Sequence, residues 1–313
     1  MEGLLEKNFV EQLKLDGTYN DSSFAREYGS EWSGDAENAF FSAETIDKHR
    51  VLLQPEYEAS GRSNKSAYYV LGIDVGRKGC TTEVCVFKVT PQAQGNSLKT
   101  LVNIYSWDEE HFETQAINIK KLFYKYKARK AVIDANGLGI GLIDYMVKSQ
   151  IEPETGEVLP DFGIDNDEDG TYKQFKTDDT ELDAIYMIKA NAPINTEAHS
   201  YVQTQLSSGK IKLLVDENQA KTKLMGQKQG QNMTTDQRAS YLRPFQLTTI
   251  LREQMLNLVE ENEGVNIILK QNNRSTKKDK FSAFEYGLYY IKQEEDRRKK
   301  KKKRDLSKMT LFN

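Results

Sequence analysis

Residues Ala67–Gly76, AYYVLGIDVG, decide how this chain folds. Six of the first seven residues are aromatic, aliphatic or alanine, the composition of a strand buried on both faces. Asp74 then arrives between Gly72 and Gly76. An ionised carboxylate is costly to bury unless it is paired or binds a metal. Two readings are open from this stretch alone. The strand ends at Asp74 and Gly76 makes the turn, or the strand presents a metal-binding carboxylate at its rim.

Outward from that strand, Thr81–Thr90 (TTEVCVFKVT) is rich in β-branched residues and predicts a second strand, reached through a Gly76–Gly79 turn. Leu98–Trp107 predicts a third. Thr114–Tyr126 switches to helical spacing, with Ile117, Ile119, Leu122, Phe123 and Tyr126 on one broad face. Ala131–Asp134 (AVID) is another short apolar strand that ends in an acid, followed by a helix over Ile140–Lys148. Further along, the pattern predicts strands over Leu182–Ala190, Lys210–Val215 and Val265–Leu269, and helices over Asn195–Leu206, Phe245–Glu261 and Asp279–Glu294. Ser149–Thr180 and Gly226–Gln237 read as solvated loops, the second a candidate to lie along a nucleic acid. Upstream, a short helix over Ala43–Val51 can be capped by Ser42.

This order predicts an α/β fold with a mixed central sheet, antiparallel first strands continued by parallel ones, and helices on both faces. It divides the chain into an arm or linker over residues 1–64, a main domain over 65–295 and a basic, disordered tail over 296–313.

If the two acid-ended strands are parallel neighbours, Asp74 and Asp134 lie at the same sheet edge, where open α/β sheets bind ligands. Asp279 is a third candidate, opening the helix of KKDKFSAFEYGLYYI, where it also suits a helix N-terminus. Three carboxylates with no His or Cys among them suit magnesium or manganese, and a pair of such ions is the usual means of phosphodiester hydrolysis. Arg77 and Lys78 follow the first acid, and Lys270, Arg274, Lys277, Lys278 and Lys280 surround the third. These are candidate DNA-binding residues, since cations beside a carboxylate cluster suit a polyanionic substrate; a solvated charged loop is the plainer reading.

Of 313 residues, 44 are basic and 47 acidic, a formal net charge of −3. Arg297–Arg304 is an unbroken run of eight basic residues, and without it 36 basic residues face 47 acidic ones, a formal −11. No apolar run approaches the length of a membrane span, and the N-terminus lacks the pattern of a signal peptide. Cys80 and Cys85 fit a reducing cytoplasm, and His49, His111 and His199 show no ligand spacing.

The ordered set IDVG, VIDANGLG and KKDKFSAFEYGLYYI resembles the nuclease domain of phage terminase large subunits, a ribonuclease H-like family. The upstream FAREYGSEW and AFFSAETID resemble the segment that joins the ATPase motor to the nuclease in that family, so the likeness spans Phe24 to Ile291. The resemblance implies that Asp74, Asp134 and Asp279 are catalytic, with Asp74 bridging two divalent cations, Mg2+ or Mn2+. Glu83 is the nearest counterpart of a further acid that the family often shows beyond the first. Also implied are a metal-dependent endonuclease acting on concatemeric double-stranded DNA, partnership with a terminase ATPase domain or subunit, a small terminase subunit and a portal, and a place in the host cytoplasm rather than the mature virion. The family's ATPase carries a Gly-x-x-x-x-Gly-Lys-Ser/Thr loop that this sequence lacks; Ser208–Ile211 comes nearest, without the first Gly or the hydroxyl residue. An excised domain or one half of a split gene is therefore expected. A junction resolvase or transposase of the same fold, or a non-catalytic docking module, are the competing expectations.

Overall fold

The computed structural model describes residues 39–309, apart from 61–66, 78, 94, 109–110, 178–179, 181 and 264. In chain order, helix α1 (Ala43–Asp47) leads into strands β1 (Arg50–Leu52), β2 (Tyr68–Asp74), β3 (Thr81–Thr90) and β4 (Leu98–Asp108). Helix α2 (Phe112–Lys125), strand β5 (Ala128–Asp134) and helix α3 (Leu138–Met146) follow. A small hairpin, β6 (Gln150–Ile151) and β7 (Val158–Leu159), precedes β8 (Ile185–Ile188), α4 (Ala192–Ser207) and β9 (Ile211–Leu214). Next come α5 (Glu217–Met225), α6 (Lys228–Gln231) and α7 (Thr235–Leu256). A second hairpin, β10 (Leu258–Glu263) and β11 (Asn266–Gln271), leads to the long α8 (Asp279–Met309).

Seven strands form one sheet in the order β1-β9-β4-β3-β2-β5-β8. Pairing is antiparallel from β2 to β3 and from β3 to β4, and parallel from β2 to β5 and from β5 to β8. This is the expected mixed sheet, antiparallel in its first strands and parallel after them. Strand side chains alternate between faces, and β2 fills both. Tyr68 and Val70 enter one core with Phe284, Leu288 and Ile291 of α8, Val202 of α4 and Leu251 of α7. Tyr69, Leu71 and Ile73 enter the other with Ile119 and Phe123 of α2 and Leu142 and Met146 of α3.

Gly72 shares the α8 face of β2. A Cβ at Gly72 would lie 2.2 Å from the Ala283 carbonyl oxygen and 2.7 Å from the Gly287 nitrogen, both backbone atoms. A Cβ at Gly287 would instead meet the Phe87 ring at 2.6 Å. The two glycines let helix and strand touch backbone to backbone. The second half of α8 is held by a buried network: Lys99 Nζ pairs with Glu295 Oε1 at 2.9 Å and donates to Gln205 Oε1 at 2.8 Å, while Tyr201 donates to Glu295 Oε2 at 2.8 Å.

Several boundaries differ from the sequence reading. The arm expected over residues 1–64 is partly domain: Phe40 and Phe41 are buried in the core, and β1 extends the sheet beside β9. The helix expected to reach Val51 stops at Asp47 because Arg50 turns inward, its guanidinium donating to the carbonyls of Leu214 and Val215 and to Thr249 Oγ1. The upstream motif around Phe24–Trp32 lies outside the described residues.

The loop expected over Gly226–Gln237 holds α6 and the start of α7, whose N-terminus is closed by a reciprocal capping box between Thr234 and Gln237. At its other end α7 stops at Leu256, and Leu258 and Val259, expected on a helix, pair in register with Gln271 and Lys270. The strand expected over Val265–Leu269 therefore belongs to a separate hairpin. Within the loop expected over Ser149–Thr180, the β6–β7 hairpin forms and Leu159, Asp161 and Phe162 are buried. The tail expected to be disordered continues α8 to Met309. Lys and Arg are good helix formers, and Glu294 and Asp296 pair with Arg297 and Lys292 at helical spacing.

Replacing Gly72 with Ala must push α8 off the sheet and is expected to cost about 3 kcal/mol. Gly287→Ala should cost less, since it meets a side chain rather than backbone. Urea unfolding midpoints check this order, and a larger loss for Gly287→Ala would contradict it.

Candidate functional site

Four acids come to one place because of strand parity. Asp74 faces α8 like Gly72, two residues before it in β2, and the parallel register Ile73↔Ile133 brings Asp134 to the same end of the sheet. In β3, Glu83 is the direct cross-strand partner of Asp74. Asp279 opens α8, the helix that Gly72 allows onto this face. A tight start to α3 fixes the turn after Asp134: a Cβ at Gly139 would sit 1.6 Å from the Asp134 carbonyl oxygen.

The electrostatics follow from this packing. Burial, and then the neighbouring carboxylates of Asp279, Asp134 and Glu83, push the Asp74 carboxyl from 3.8 up to about 8, with Lys278 pulling the other way. Asp134 is also raised, by burial, against hydrogen bonds from the Asn136 amide at 3.0 Å and the Tyr286 hydroxyl at 3.2 Å. The Tyr286 phenol is pushed far above its ordinary range by burial and by Asp134 and Asp74, so it remains a donor.

Glu83 is fully buried, and its Oε1 is held by Lys280 Nζ at 2.7 Å, Thr81 Oγ1 at 2.7 Å and Ser106 Oγ at 2.8 Å. Its other oxygen, Oε2, and Asp279 Oδ2 are buried with no hydrogen-bond partner. Two orphaned carboxylate oxygens beside an acid that burial and like charge keep from ionising are what a divalent cation would relieve. The donor set, all carboxylate, fits magnesium or manganese. The acids are gathered but not closed together: among the described residues, no group of three or more His, Cys, Asp or Glu stands at metal-holding spacing.

The expected basic residues separate into two groups. Lys280 is buried against Glu83 and cannot reach a phosphate outside, so its assignment to DNA binding is corrected. Its ammonium was drawn inward by a buried acid that needed a partner. Lys270 pairs with Glu261 on the β10–β11 hairpin at 2.5 Å. Arg274, Lys277 and Lys278 are exposed at the entry to α8, and Lys277 Nζ donates to the Gly79 carbonyl of the turn after β2 at 3.0 Å. Arg77 lies over the Phe112 ring at 4.8 Å. Lys78 lies outside the described residues.

Sequence reasoning passed over Tyr286, although the signal was present: it follows Asp279 by seven residues, two helical turns along α8. Beside it, a cleft lined by Asn191, Asn195, Lys278, Ser282 and Tyr286 is floored by His199 and Glu285, joined at 2.5 Å.

No protein-family model and no curated protein matches this chain. Solved structures do. The large terminase nuclease of thermophilic phage G20c, crystallised with magnesium, is 14% identical over 81% of this chain and 97% of that one, with a TM-score of 0.46. The large terminase nuclease domain of Thermus phage P74-26 is 12% identical over 81% and 94% of the two chains, with a TM-score of 0.40. The large terminase of bacteriophage HK97 is 10% identical, with a TM-score of 0.45; the match covers 91% of this chain and 50% of that one. Among the described residues, no helix is long and apolar enough to cross a membrane.

Because folding raises the Asp74 carboxyl above its unfolded value, this group favours the fold at low pH, and that advantage is lost as pH rises from about 4 to about 8. Asp74→Asn removes the penalty. In EDTA it should raise the melting temperature by roughly 5 °C at pH 8 and by much less at pH 4. Thermal unfolding at both pH values is the check, and an unchanged or lowered midpoint at pH 8 would oppose the electrostatic account.

Proposed function

We propose that this chain is the nuclease domain of a phage packaging terminase, hydrolysing phosphodiester bonds of concatemeric double-stranded DNA with little sequence preference. One observation carries the reading: Asp74, Asp134 and Asp279, the acids of the three resembling motifs, gather on one face at one end of the sheet, where Asp74 feels the charge of the other two. A purely structural role for these acids would leave that mutual repulsion uncompensated.

Asp74, Asp134 and Asp279 would hold two divalent cations. When bound, such ions supply Lewis acidity toward water and neutralise charge that builds on the phosphate. The protein's own groups then have distinct tasks. Tyr286 and the Asn136 amide fix Asp134 through its two oxygens. Lys280 neutralises Glu83, which keeps a fourth negative charge from adding in full to the cluster and leaves Glu83 Oε2 as a further acceptor for water or cation. Arg274, Lys277 and Lys278 would meet the DNA backbone beside the acids. The sequence given carries no ATPase loop, and the motor would be a terminase ATPase domain or subunit, acting with a small terminase subunit and a portal in the host cytoplasm.

The purified chain with manganese or magnesium is expected to nick and cut linear duplex DNA. Asp74→Ala should lower that rate by about 100-fold or more while the circular dichroism spectrum is retained. Full activity in the variant would remove the assignment. Strong preference for a four-way junction over linear duplex would point to a resolvase instead. Absence of metal binding dependent on the three acids, measured by calorimetry, would point to a docking module.

A further inference from the structure

Helix α8 runs along the length of β2. Its first residue, Asp279, lies with the acids at the C-terminal end of β2, Gly287 touches Gly72 near that end, and Arg298 lies over the ring of Tyr68, the first residue of β2, at 5.3 Å. Tyr68 is also covered by Arg129 at 3.6 Å. The basic run Arg297–Arg304 therefore leaves the domain at the edge opposite the acids, still as helix. At about 1.5 Å per residue it begins roughly 27 Å from Asp279.

The run contains no apolar residue, so it offers no stripe for a protein groove and none for insertion into a membrane surface. Arg297, Arg298, Lys299, Lys300 and Lys301 are exposed. Eight like charges wound on a helix repeat every ~1.5 Å along its axis, and duplex DNA carries one negative charge per ~1.7 Å. The two charge densities match. The rest of the chain is formally −11 and repels such a polyanion, so attraction has to be concentrated where these cations are.

We infer that the basic C-terminal extension of α8 is a second duplex-binding surface, contacting the phosphate backbone at least about 8 base pairs from the point of cleavage, since a base pair rises ~3.4 Å. It rests on the nuclease reading for the position of the cut, but its own contact is electrostatic and needs no metal.

The full chain and a variant with Lys299, Lys300, Lys301, Lys302 and Lys303 all changed to Gln are compared in EDTA by fluorescence anisotropy on labelled duplexes of 10 and 30 base pairs. Glutamine keeps helix propensity, and circular dichroism confirms that the fold is retained. For the 30-mer, the variant is expected to bind at least 5-fold more weakly near 0.15 M salt, with a slope of log affinity against log salt shallower by about 3 or more. The 10-mer, ~34 Å long, can lie on the run alone, where the attraction is concentrated, so it too should bind more weakly to the variant. An unchanged affinity on either length overturns the inference, as does an unchanged salt slope. If the 30-mer is unaffected while binding to an acidic partner protein is lost, the run is a protein-docking arm. Failure of the nuclease reading shows separately, as intact binding without metal-dependent cleavage.

Discussion

The close approach of α8 to β2 is the constraint on which the rest depends. Gly72 and Gly287 remove the two side chains that would hold helix and strand a full side-chain layer apart. Helices on sheets are normally separated by such a layer. Here the backbone of Ala283 and Gly287 lies directly on Gly72, and the start of α8 is carried down to the sheet edge. Without that contact Asp279 would stand above the plane of Asp74 and Asp134. The position of one acid thus depends on the absence of a Cβ two residues before another.

What gathers there works against folding. Packing acids on one buried face raises Asp74 by desolvation and by repulsion from its neighbours, a direction opposite to that of a carboxylate placed for stability. The protein offsets part of this strain locally. Lys280 is spent on Glu83, the acid held deepest, and Tyr286 and the Asn136 amide are spent on Asp134. No comparable donor reaches Asp279 Oδ2 or Glu83 Oε2. The cluster is complete as a fold only in part, and what it lacks is positive charge.

Much of this was legible in the sequence because the decisive signals are local. Continuous apolar runs mark β2 and β5, their terminal acids mark the site, and helical spacing marks the first half of α8. The missed features each lack a local signal or depend on distant partners. Strand β1 is three residues long and exists because β9 pairs with it and Arg50 reaches Leu214, Val215 and Thr249. The first half of α7 is polar and contains Pro244, which reads as a helix breaker, yet the capping box at Thr234 starts the helix before it. Lys280 looked like a DNA contact because it stands among lysines, and its partner Glu83 is 197 residues away in sequence. Gly72 carried no signal of its contact, since no sequence pattern states which helix will lie on a strand.

The same helix also sorts the charge of the molecule. A formal net charge of −3 conceals acids gathered at the start of α8 and eight cations near its end, with the buried Lys99–Glu295 pair between them. That pair matters for the order of the parts. Glu295 accepts from Ser97, Lys99 and Tyr201, which fixes the last turn of α8 that touches the core on β4 and α4. Beyond it, from Arg297 on, nothing apolar remains to be buried through Arg304. The helix is therefore a rigid core element up to Glu295 and a charged extension after it. Because one continuous helix carries both segments, the distance from the acids to the cations is set by helix geometry rather than by a flexible linker. A duplex contacted at both places would then meet them at a fixed separation.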